Sequence, residues 1–146
     1  MNELRDLYQE VIFDHCRQPR NYGQLGYANR KAEGYNPLCG DKVKVYLQVE
    51  NGVIIDARFE GSGCAISTAS ASLMTEVVKG KTKQQALDLL NRFHDLVTGA
   101  ATATDLGKLA ALAGVREFPQ RVKCATLAWH TMKAALENVT EAVTTE

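Results

Sequence analysis

No stretch of this 146-residue chain approaches the roughly 18 consecutive apolar residues of a membrane-spanning helix, so no membrane association is expected. Residues 1–10 (MNELRDLYQE) lack the apolar centre of a secretory signal and are polar and helical in pattern. There is no charge imbalance either: 17 Lys and Arg offset 17 Asp and Glu. A neutral chain provides no footprint for nucleic acid and no polybasic membrane anchor. Internal repeats, linkers and low-complexity tracts are missing too. These absences point to one soluble, cytoplasmic domain over residues 1–146, long enough to bury a core without disulfides. In that compartment the four cysteines are expected to be reduced, metal-bound or reactive rather than cross-linked.

What is present reads as α+β. Leu4, Leu7, Tyr8, Val11 and Ile12 recur at helical spacing and the pattern stops before Pro19. Residues 20–38, rich in Asn, Gly and Tyr, read as a loop. Val43, Val45, Leu47 and Val49 then alternate with Lys44, Tyr46 and Gln48. Asn51-Gly52 follows, and after it the β-prone run 53–59. Asn-Gly between two such runs specifies a two-residue hairpin turn, because both central residues accept positive φ. Ile66, Ala69, Leu73 and Val77 mark a helix closing at Lys79-Gly80. Thr82 and Gln85 form a capping box for the next, which carries Ala86, Leu89, Leu90, Phe93 and Val97. A short helix is expected around Thr104 to Leu112, and a long last one carries Val122, Ala125, Trp129, Met132, Leu136 and Val139 on one face. The expected architecture is a small antiparallel sheet, hairpin 42–60 plus a third strand, packed against several helices.

The hairpin brings cysteines together. With Asn51-Gly52 as the turn, Glu50 lies opposite Val53. An unbroken register then sets Asp41 against Ser62 and Cys39 against Cys64, with Cβ atoms about 4.5–5.5 Å apart. Glycines at 40, 61 and 63 could bend this end, and a bulge would alter the register. Cys64 precedes one predicted helix and Cys124 lies in the first turn of the last, with Arg121 and Lys123 nearby. Helix N-termini and cations favour the thiolate, which is both nucleophile and metal ligand. Cys39, Cys64, Cys124 and Asp41 make a tetrahedral set that suits Zn²⁺.

Blander readings compete. Cys39 and Cys64 could form a cross-strand disulfide, or the cysteines could be small buried hydrophobes. The ligand spacing is not that of a zinc finger. Cys16 reads as a bystander; His15, His94 and His130 read as surface or packing residues; Trp129 and Met132 read as core. Arg121 and Lys123 are either solvated charges or accessories to Cys124.

Four segments together resemble the U-type iron–sulfur assembly family, the IscU-like proteins: Leu7-Tyr8 with Asp14-His15 and Pro19-Arg20-Asn21; residues 36–41 (NPLCGD); residues 59–67 (FEGSGCAIS); and residues 121–125 (RVKCA). The resemblance covers nearly the whole chain and implies that Cys39, Asp41, Cys64 and Cys124 are the metal and cluster ligands. Two features look like the zinc-containing SufU branch. Lys123 stands where the Isc branch has a histidine, and residues 98–118 look like an insertion. That branch implies a zinc-dependent sulfurtransferase working with a SufS-type cysteine desulfurase and with downstream iron–sulfur assembly proteins. Cys39 is then the sulfur acceptor. The alternative is a scaffold on which a transient [2Fe–2S] cluster is built and handed on, since thiolates serve both. A zinc deaminase does not fit, because its His-x-Glu and Pro-Cys-x-x-Cys signature is missing.

Overall fold

The computed structural model of the chain describes residues 3–37, 39–100, 106–138 and 142–144, with side chains from residue 9 onward. Leu4, Leu7 and Tyr8 of the first apolar stripe, Leu38, Thr104 and Val139 thus lie outside the described side chains. The elements run α1 (Glu3–Arg17), β1 (Arg30–Asn36), β2 (Asp41–Glu50), β3 (Val53–Ser62), α2 (Ala65–Val78), α3 (Lys83–Thr98), a 3₁₀ segment (Gly107–Glu117), α4 (Pro119–Leu136) and β4 (Val143–Thr144). The fold is α+β, as the pattern predicts, with helices packed on one face of the sheet and α4 lying against β1 and β2.

Strand order in the sheet is β3-β2-β1-β4. The three long strands are antiparallel, while β4 adds a two-residue parallel pairing to β1, so the sheet is mixed. The third strand, β1, occupies part of the segment that reads as loop. Its inward positions are Ala32, Gly34 and Asn36, and its outward ones Lys31, Glu33 and Tyr35. The alternation is real, but no large apolar side chain marks it.

The Asn51-Gly52 turn forms as expected, with φ of 52° and 77°. Beyond it the register departs from the unbroken one. Glu50 faces Val53 and Val49 faces Ile54, but Gln48 faces Asp56, leaving Ile55 as the extra residue of a bulge. Every later pair is displaced by one, so Ser62 faces Lys42 and the expected Asp41–Ser62 and Cys39–Cys64 pairs do not form. The cause is a second set of partners at the bulge: Ile54 N–H donates to Lys81 O (2.8 Å) and Gly80 N–H donates to Ile54 O (2.7 Å). These bonds draw the start of β3 toward the α2–α3 connection. The bulge also resets which side chains face inward, from Ile54 to Ala57 and Phe59, all buried.

Trp129 and Met132 are fully buried, as expected, with Trp129 stacked on Phe93 at a centroid distance of 4.8 Å. The Thr82–Gln85 capping box is present at the start of α3. His15 is a buried clasp between α1 and the chain beyond it. Its Nδ1 lies 2.7 Å from Ser72 Oγ, which also accepts the Arg20 N–H at 2.8 Å. Burial is the main reason that its imidazole is held below the ordinary histidine pKa.

Candidate metal centre

Cys39 does not sit on a strand. Asn36 pairs with Asp41, so Cys39 and Gly40 lie in the turn joining β1 to β2. The turn is closed by Gly40 N–H donating to Asn36 O at 2.8 Å. Gly40 occupies the left-handed region (φ 74°), which a side chain would strain. The turn leaves Cys39 exposed at the end of the sheet.

Asp41 begins β2 and is fully buried. A buried carboxylate needs partners, and Asp41 finds one in the backbone. Its Oδ1 accepts the Cys64 N–H at 2.9 Å, while Oδ2 lies 3.8 Å from Cys64 Sγ. Gly63 makes this approach possible, since a Cβ there would stand 2.8 Å from Asp41 Oδ1. Cys64 itself is the N-cap of α2, its sulfur accepting the Ser67 N–H at 3.4 Å. The cap position is usually filled by Ser, Thr, Asp or Asn. A sulfur there satisfies a free N–H of the helix and feels its positive end.

Cys124 arrives from α4. Pro119 opens that helix, so Cys124 is in its second turn, not its first. It is fully buried, and burial, followed by hydrogen bonding to Asp41 and Cys39, pushes its thiol pKa well up. The expectation that a helix N-terminus and nearby cations lower this thiol's pKa therefore does not hold for Cys124. Among the cysteines, only Cys64 sits at a helix start. Arg121 lines a groove with Cys64, and Lys123 lines a separate hollow with His94, His130 and Lys133.

Despite the shifted register, the chain-distant groups meet. Cys39 and Cys124 have their sulfurs 3.4 Å apart, and ligand atoms of Cys39, Asp41 and Cys124 all lie within 4.8 Å of one another. Cys64 stands outside this mutual grouping, with its sulfur 3.8 Å from Asp41 Oδ2. Cys16 is half-buried on α1 and takes no part. Among the described residues this is the one group of three or more Cys, His, Asp or Glu side chains close enough to share an ion. The donors fit a small thiophilic dication. Two thiolates at about 2.3 Å from one tetrahedral zinc stand ~3.8 Å apart, close to the sulfur separation seen here. One residue at the site was not read from the sequence: Asn36, fully buried, directs Nδ2 toward Cys124 Sγ at 3.9 Å. A buried polar residue three positions before Cys39 was the available signal.

Fold and site together define a small α+β protein that gathers thiols and a carboxylate at one end of its sheet. Comparison with known sequences makes the class specific: the profile of the NifU-like N-terminal domain matches residues 7–145, and the chain belongs to that family. The IscU-like resemblance read from its motifs is borne out. It is 42% identical over 132 residues to the zinc-dependent sulfurtransferase SufU of Bacillus subtilis, covering 89% of each chain. It is 41% identical over 139 residues to the iron–sulfur cluster assembly scaffold protein IscU of Streptococcus pyogenes, covering 94% of this chain and 87% of that one. Among solved structures, one described as an iron–sulfur cluster assembly scaffold for the SUF system of Fervidobacterium islandicum superposes with a TM-score of 0.83. That match has 36% identity and covers 90% of this chain and 98% of that one.

Proposed function

We propose that the chain is a zinc-dependent sulfurtransferase of iron–sulfur cluster assembly. It takes persulfide sulfur from a SufS-type cysteine desulfurase and passes it to downstream assembly proteins. A single 1–146 domain in the cytoplasm goes with this reading. The observation that supports it best is the asymmetry of the thiol cluster: an exposed Cys39 on a turn stands 3.4 Å from a fully buried Cys124. We assign Cys39, Asp41, Cys64 and Cys124 as the zinc ligands and Cys39 as the sulfur acceptor. Zinc bound there would hold its sulfur ligands as thiolates at neutral pH.

The chain's own residues divide the work. Asp41, Cys64 and Cys124 stay in place, fixed by the Cys64 N–H, the Ser67 N–H and the packing of α4. Cys39 is exposed on its turn, with its sulfur 3.4 Å from that of Cys124, and is the sulfur that can leave. Its thiolate attacks the outer sulfur of the partner's cysteine persulfide. A new S–S bond forms to Cys39 Sγ as the partner's S–S bond breaks, and the partner departs as a thiolate with no net oxidation. Arg121 is an accessory through its place beside Cys64. Lys123, which lines the hollow with His94 and His130, is assigned a second accessory role, orienting the cysteine turn or contacting the partner.

The alternative, a scaffold for a [2Fe–2S] cluster, is favoured by relatives described as scaffolds and would use the same thiols. One experiment separates the two. Colourless protein with one zinc per chain should stimulate the desulfurase, and a chelator that strips the metal should abolish the stimulation. Brown protein that transfers an intact cluster, with stimulation indifferent to the chelator, would instead establish the scaffold.

A further inference from the structure

A groove of about 480 Å³ is lined by residues of α1, the start of α2 and the 3₁₀ segment, with Cys64 among them. Its volume falls within the ~300–1,000 Å³ of ordinary binding clefts. The walls are largely apolar: Ile12 from α1, Ile66 from α2, Ala111 and Val115 from the 3₁₀ segment, and Phe118 at the entrance to α4. Phe118 is 58% exposed, and its side chain makes no capping bond to the helix it precedes. Arg121 is the one charged residue in the lining and makes no ion pair among the described residues.

We propose that this groove docks the persulfide-bearing loop of the sulfur donor, through an apolar side chain seated on Phe118 and Val115 and a carboxylate paired with Arg121. The proposal rests on the sulfurtransferase reading and deepens it. Two features select this occupant. Apolar walls with a single unpaired guanidinium call for an apolar segment carrying one negative charge. Cys64 lines the groove, so a segment lying in it is brought beside the thiol cluster that must receive the sulfur.

Phe118→Asp is the discriminating variant. Asp is among the best N-cap residues, so the substitution supports the start of α4 while placing a like charge against the donor's carboxylate. The half-saturating concentration of the SufS-type desulfurase should rise tenfold or more, with the rate at saturation unchanged. Arg121→Glu should raise it in the same direction. Sulfur uptake from inorganic polysulfide, which needs no dock, should match wild type in Phe118→Asp.

Half-saturation within twofold of wild type in both variants would remove the groove from the docking role. A Phe118→Asp protein that is equally slow with polysulfide would show that Phe118 acts on the thiol cluster itself, and would also overturn the dock. If the wild-type chain takes sulfur from neither donor, the sulfurtransferase reading falls and the groove proposal falls with it.

Discussion

Replacing Cys39 by alanine will abolish sulfur acceptance, lowering persulfide transfer from the desulfurase by a factor on the order of 10³ or more, as expected when an attacking nucleophile is lost. The fold will survive, because Cys39 is exposed on the β1–β2 turn and reaches inward through its sulfur contact with Cys124 rather than through a packed side chain. Exposed substitutions of this kind usually change stability by no more than about 0.5 kcal/mol apart from any metal contribution. Asn36, Asp41, Cys64 and Cys124 keep their positions in the variant, so circular dichroism and urea unfolding of the metal-free proteins should coincide. Mass spectrometry after incubation with desulfurase and cysteine reads the outcome directly. Wild type gains one sulfur on Cys39 and the variant gains none. Wild-type transfer by the variant would move the acceptor role to another thiol. Cys124 would then have to leave a fully buried position to accept sulfur.

The second large effect is expected at Cys124, and it is on the metal. Cys124→Ala removes the sulfur that stands 3.4 Å from Cys39 and leaves the buried Asn36 amide without that acceptor. Loss of an outer-shell partner alone typically costs 10–100-fold in metal affinity, and loss of a ligand should cost more than that. Zinc should therefore be lost on dialysis that wild type withstands. Because a ligand that binds only the native state adds RT ln(1 + [L]/Kd), wild-type Tm should rise with zinc and fall with chelator. In Cys124→Ala that dependence should flatten. A variant that retains stoichiometric zinc and an unchanged zinc-dependent Tm would remove Cys124 from the ligand set.

The long β2–β3 hairpin, the capped helices and the buried Trp129 were legible because each carries a strong local signal: an Asn-Gly turn, a capping box, a helical apolar stripe. β1 was not. Its inward residues, Ala32, Gly34 and Asn36, are small or polar, so its period-2 pattern lacks the large hydrophobes by which a strand is recognised. The bulge at Ile55 was hidden for a different reason. It answers to the hydrogen bonds that Ile54 exchanges with Gly80 N–H and Lys81 O, which lie across the fold rather than in the hairpin.

Cys39, Asp41 and Cys124 come within 4.8 Å of one another and Cys64 lies 3.8 Å from Asp41, but the expected geometric route does not bring them there. Cys39 and Cys64 do not face each other across a ladder. Asp41 instead bridges to Cys64 by accepting its backbone N–H, and Cys39 meets Cys124 from a turn. Pro119 was the overlooked sign that Cys124 lies one turn deeper in its helix than expected, inside the core, where burial rather than a helix dipole dominates its thiol.

The most direct test is X-ray absorption at the zinc edge on the purified wild-type protein. The expected first shell is sulfur from Cys39, Cys64 and Cys124 at about 2.3 Å and one oxygen from Asp41 at about 2.0–2.2 Å. A shell containing imidazole nitrogen, or one with fewer sulfur neighbours that stays unchanged in Cys124→Ala, would contradict the assignment of these four residues to a single ion.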